Sequence, residues 1–158
     1  MIFMHNGIDA HKNNNLIKNH EDDMGYDIRS GEDFKIPPRS TKIVNTFLHI
    51  SMPPWLGMIV KSRSGLAFKF DIEASNSGVI DSGFHGGFKV KLYNEGFNEC
   101  FYAKQGDRIA QAIFHIRPEG YLLNSMDRIT PFAIRELDIA HWPESSRGTN
   151  GFESSGRD

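Results

Sequence analysis

Cysteine is almost missing from this chain of 158 residues: Cys100 is the single one. One thiol excludes a disulfide framework and suits a reducing compartment. Long apolar runs are missing too. Met1 to Asp23 is dominated by Asn, His, Lys and acids and holds no apolar stretch long enough for export or membrane insertion. The reading is a cytoplasmic protein with no membrane partner. Positive charge is not in excess, with 18 Lys and Arg against 20 Asp and Glu and a formal charge of -2. That balance speaks against general nucleic-acid binding, which needs a basic footprint. An anionic ligand therefore requires a locally basic site. Internal repeats and low-complexity tracts are absent, and the length suits one domain with a real core.

What the chain does hold is a succession of short strand-like runs cut by turns. Phe34 to Ile36 is closed by Pro37-Pro38, Thr41 to Ser51 is rich in β-branched and aromatic residues and stops at Pro53-Pro54, and Trp55 to Lys61 follows. Phe88, Val90 and Leu92 alternate with Lys89, Lys91 and Tyr93, the period of a half-buried strand. Ala110, Ala112, Phe114 and Ile116 alternate with Gln111, Ile113 and His115. Many short strands with turn punctuation imply an all-β barrel or jelly-roll-like fold. Ser64 to Phe68 suits one helical turn whose N-terminal amides can meet a phosphate. Between Pro131 and Trp142 the roughly helical spacing of Ile134, Leu137 and Ala140 leaves the conformation open.

Two segments look built for a ligand. The tail Arg147-Gly148-Thr149-Asn150-Gly151-Phe152-Glu153-Ser154-Ser155-Gly156 can converge backbone N–H groups on phosphate oxygens, add a planar guanidinium from Arg147 and lay Phe152 on a base. The run Gly78-Val79-Ile80-Asp81-Ser82-Gly83-Phe84-His85-Gly86-Gly87 reads as a hairpin that presents Asp81 and Phe84 to one small molecule. Read by themselves, these are also an ordinary glycine-rich terminus and an ordinary Asp-Ser-Gly turn.

Three more segments complete a pattern: Met24-Gly25-Tyr26-Asp27-Ile28-Arg29-Ser30, Lys61-Ser62-Arg63-Ser64-Gly65-Leu66-Ala67 and Gly106-Asp107-Arg108-Ile109-Ala110-Gln111. In order and spacing the five closely resemble the motifs of the trimeric dUTPase family, over Gly25 to Gly156. The resemblance implies a distorted jelly-roll β-barrel over 24–146, a variable N-terminal segment over 1–23 and a flexible C-terminal arm over 147–158. It implies a homotrimer whose active sites are each shared by three chains, and hydrolysis of dUTP to dUMP and pyrophosphate with Mg2+ on the triphosphate.

The same resemblance assigns roles. Asp81 would be the base for the attacking water, since an aspartate is ordinarily ionised at neutral pH. Asp27 would act on Mg2+ through water. Arg63, Ser64 and Gly65 would bind phosphates, with Gln111 a weaker candidate that equally suits a backbone contact. Asn76, Gly78, Phe84 and Lys89 would lie along the uracil and deoxyribose hairpin. Arg147, Gly151 and Phe152 would come from the arm, on the γ phosphate and the base. Departures are Phe84 for the usual Tyr, His85 for Arg or Gln, and Asn150 and Glu153 where glycine is usual. The related dCTP deaminases need a Glu three residues before Asn94, where this chain has Lys91. Residues 1–23 and 117–146 leave room for a regulatory protein partner and motivate a second reading, a dUTPase-like partner-binding protein whose hydrolysis is weak or dispensable.

Overall fold

The computed structural model describes residues 2–6, 16–75, 78–116 and 134–136. Asn76, Arg147, Gly151 and Phe152 lie outside the described residues, as does most of the 117–146 stretch. The elements are β1 (Ile2–Asn6), β2 (Tyr26–Arg29), β3 (Phe34–Ile36), β4 (Thr41–Ser51), β5 (Leu56–Lys61), α1 (Ser64–Phe70), β6 (Ile72–Ala74), β7 (Val79–Ile80), β8 (Gly87–Asn94), β9 (Phe101–Ala103), β10 (Arg108–Ile116) and β11 (Ile134–Glu136). They form a five-stranded sheet ordered β11-β1-β4-β8-β6, a four-stranded sheet ordered β2-β10-β5-β7 and the pair β3-β9. The all-β reading is borne out. Among the described residues no helix is long and apolar enough to cross a membrane.

The alternation seen in the sequence decides which faces turn inward. Val44, Thr46, Leu48 and Ile50 of β4, Leu56, Met58 and Val60 of β5, and Phe88, Val90 and Leu92 of β8 are buried, with less buried residues between them. With Ile28, Ile36, Ile72 and Ala112 they make one continuous core. Each fully buried aliphatic side chain contributes about 1.5–3 kcal/mol by leaving water. Asn94 is buried as well, and its polar atoms are satisfied. Its amide donates to the carbonyls of Ile36 (3.0 Å) and Glu99 (2.9 Å), and its Oδ1 accepts from the Gly96 N–H (3.0 Å).

One irregularity shapes the region of the Asp81 hairpin. The β4–β8 register shifts between Asn45 and His49, where Phe47 takes a left-handed φ of 53°. The Phe47 N–H donates to Asn45 Oδ1 (3.0 Å), and the buried Thr46 hydroxyl donates to the Phe88 carbonyl (2.6 Å) while accepting from the Leu48 N–H (3.2 Å). This bulge fastens β4 to the first residues of β8.

Two segments differ from simple readings. Ile134–Glu136, at helical spacing in the sequence, is a strand parallel to β1, with Ile2 opposite Ile134; pairing with a neighbouring strand overrides local periodicity there. Leu16 is buried in the core, and the Asp27 N–H donates to the Ile17 carbonyl (2.8 Å), so these two residues are tied to the sheets although they precede Met24, while residues 19–22 are exposed. The helical turn is borne out as α1, which has no buried residue and leaves Phe68 90% exposed.

Candidate active site

A polar recess forms where β2, β10 and β5 run side by side. Gln111 of β10 stands opposite Asp27 of β2 and, on its other side, opposite Lys61 of β5. The chain then leaves β5 through Ser62 and Arg63 into α1. Strand register thus brings residues 27, 63 and 111 to one place. With Asn19, Asp23, Gly25, Ser64, Gly65 and Arg108 they line a recess of about 280 Å³.

Its electrostatic centre is Asp27, whose side chain is only 14% exposed. Arg63 Nε donates to Oδ1 at 3.0 Å and Arg108 Nη1 donates to Oδ2 at 3.1 Å. Arg63 Nη1 also donates to the Arg108 carbonyl (3.2 Å), and Arg108 Nη1 reaches Asn19 Oδ1 (3.4 Å). A guanidinium carries five N–H donors, so each arginine keeps donors beyond these bonds. The carboxylate fixes two forks whose geometry matches phosphate.

Backbone and glycine complete the cradle. Arg63 stands at the N-cap of α1 in extended conformation, with no side-chain cap on the helix. Its carbonyl accepts from Leu66 and Ala67 (both 3.0 Å), which leaves the Ser64 and Gly65 amides, the first of the helix, without an intrahelical acceptor. A Cβ on Gly65 would meet nothing within 4 Å. A glycine inside a helix costs about 1 kcal/mol against alanine, and neither the packing of this chain nor its backbone requires one here. Close approach of a bound group would. At Gly25 a Cβ would lie 2.7 Å from Gln111 Oε1, so a larger residue there would displace the Gln111 side chain. Gln111 Nε2 donates to the Ser62 carbonyl (2.9 Å), the backbone contact anticipated for it, and so braces the turn from β5 into α1.

Other expected residues stand elsewhere in the chain. Asp81 follows β7 at the far side of β5, where Met58 pairs with Ile80; it is exposed and does not line the recess. The Phe84 N–H closes a turn on its carbonyl (3.0 Å). Phe84 itself is 6% exposed and packs in the core. The Gly78 carbonyl accepts from the Val60 N–H (3.0 Å), and Lys89 is exposed on β8 opposite Asn45. Sequence reasoning quoted Arg108 within its motif but gave it no role; its signal was an arginine opening a strand after a Gly-Asp turn. Asn19, in the segment set apart as variable, was missed altogether.

On an all-β scaffold, an arginine-bridged carboxylate beside open helix amides suits the binding of small anions of high charge. The dUTPase family model matches residues 12–156, and the chain belongs to that family. The deoxyuridine 5′-triphosphate nucleotidohydrolase of Tropheryma whipplei (strain Twist) is 36% identical over 136 residues, covering 85% of this chain and 84% of that one. Its namesake in Clostridioides difficile is 36% identical over 138 residues, covering 87% and 86%. A mutant of the Staphylococcus bacteriophage 80alpha dUTPase, solved with dUpNHpp, has the same fold, with TM-score 0.66 and 24% identity over 99% of this chain and 98% of that one.

Proposed function

We propose that this protein hydrolyses dUTP to dUMP and pyrophosphate, cleaving between the α and β phosphates. The observation that carries the reading is the Asp27 carboxylate held between Arg63 and Arg108 beside the open helix start, in a chain of the dUTPase family. Arg63 neutralises triphosphate charge, the Ser64 hydroxyl donates to an oxygen near the scissile bridge and the Gly65 amide adds a donor. Arg108 extends the same cradle. Gln111 contributes by holding the turn that carries Arg63. Asp81 takes a proton from water; the water oxygen bonds to the α phosphorus as the bond to the bridging oxygen breaks and pyrophosphate leaves.

Among the described residues no three or more His, Cys, Asp or Glu side chains gather as a metal cage. Each Asp27 oxygen holds one arginine and keeps a lone pair for a water. That donor set fits a magnesium ion carried on phosphate oxygens with its waters retained, where it would neutralise charge that develops on the phosphates.

The base and sugar belong to the hairpin from Asn76 to Lys89. Backbone groups around Gly78 read uracil by its hydrogen-bonding edge, and Phe84, held by the core, bars a 2′-hydroxyl. Arg147, Gly151 and Phe152 of the C-terminal arm close on the γ phosphate and the base. Each site combines the recess of one chain, the Asp81 hairpin of a second and the arm of a third. Two observations support that division: Asp81 lies away from the recess in its own chain, and α1 leaves Phe68 and Phe70 uncovered. Pyrophosphate release with Mg2+ on dUTP, dCTP, dTTP and UTP tests the reading. Turnover confined to dUTP is expected; no turnover of dUTP, or equal turnover of all four, would overturn it.

A further inference from the structure

The turn that carries Asp81 is fastened to β4 by a pair of histidines. His49 Nδ1 lies 3.1 Å from the His85 carbonyl oxygen. A carbonyl only accepts, so Nδ1 carries the proton and donates. The His85 ring in turn sets Nε2 3.3 Å from the hydroxyl of Ser51, which is 5% exposed. The backbone of His49 stands opposite Gly87, and a Cβ on Gly87 would come within 3.2 Å of His49 Nε2. Glycine there lets the ring lie flat on the strand. Both ends of the hairpin are thus tied: Ile80 pairs with Met58 of β5, and His85 to Gly87 is held by His49 and Ser51.

We infer that His49, His85 and Ser51 form a latch that sets the position of Asp81, and with it the rate of the chemical step, without touching substrate. The inference rests on the reading of Asp81 as the base. His85 is four residues from Asp81, and the two are joined through the single turn closed by Phe84 N–H on the Asp81 carbonyl. A shift of the His85 carbonyl is therefore passed to the base. Arg63 caps α1, and Ser64 and Gly65 open it, so phosphate binding stands apart from this tie, whereas the base and sugar share the hairpin that it holds.

His49→Phe keeps the ring's bulk and removes the donor, while His49→Asn replaces the ring with an amide N–H at the Nδ1 position. With dUTP and Mg2+, His49→Phe is expected to lower kcat about tenfold or more, as misplacement of a catalytic group by about 1 Å can, with a smaller rise in KM, since the same hairpin carries the base and sugar. His49→Asn should recover most of kcat. Ser51→Ala should give a smaller loss of kcat, again larger than any change in KM. Thermal unfolding and Asp81→Asn are measured alongside. An inactive Asp81→Asn with undiminished kcat in His49→Phe would overturn the latch while leaving the base in place, as would an Asn variant no faster than the Phe variant. A change in KM alone would also overturn it. Turnover surviving in Asp81→Asn would overturn the base assignment, and the latch with it. Where His49→Phe does not fold, Ser51→Ala decides, and unchanged kcat there is the overturning result.

Discussion

Asp27 does its work by holding cations still. An arginine side chain left alone samples many rotamers and pays entropy on meeting a phosphate; here both guanidinium groups are already set by one carboxylate. Arg108→Ala removes one phosphate donor and leaves Asp27 with Arg63 alone. Hydrogen bonds to charged groups contribute about 1.5–3 kcal/mol. Because the Arg108 side chain is 37% exposed, the low end applies, and KM for dUTP is expected to rise about tenfold with a smaller change in kcat. Steady-state kinetics would check it. Asp81→Asn makes the opposite split: turnover should fall by about two to four orders of magnitude with dUTP affinity largely kept, since the amide holds a water without taking its proton. Calorimetric titration with dUTP beside a turnover assay separates the two effects.

The seam between β4 and β8 carries more than strand pairing. Thr46 Oγ1 gives its proton to the Phe88 carbonyl and accepts from Leu48, in a place with no access to water. Thr46→Val has nearly the same shape but orphans both partners, at about 1–3 kcal/mol each. A drop of several degrees in Tm is the expected outcome, with no change in KM at fixed temperature. Elements of this kind differ in how far the sequence discloses them. β3 and β4 fall on Phe34–Ile36 and Thr41–Ser51, as read from proline punctuation and from β-branched and aromatic content, because these signals are local. The bulge at Phe47 is not legible, since a left-handed aromatic residue has no signature outside its partners on β8. Nor is the bond between Arg108 and Asp27, which depends on strand register across the sheet. The strand β11 likewise owes its conformation to β1, and its own residues carry a helical spacing.

The chain leaves Phe68, Phe70 and Val79 exposed and its proposed base away from its proposed phosphate cradle, which suits the shared site proposed above. Analytical ultracentrifugation should find a particle of three times the 17.9 kDa chain mass, and a fully active monomer would refute the shared site. The separation of Asp81 from the recess has a genetic consequence. In the proposed shared site, a variant lacking Arg63 and a variant lacking Asp81 should each be inactive, with the damage on different chains of any one site. When the two are unfolded together, mixed equally and reassembled, about one quarter of the sites in a closed ring draw both halves from intact positions. Two inactive proteins should therefore yield an active mixture, as two alleles complement each other within one gene, and a mixture that stays silent would mean that cradle and base meet inside a single chain.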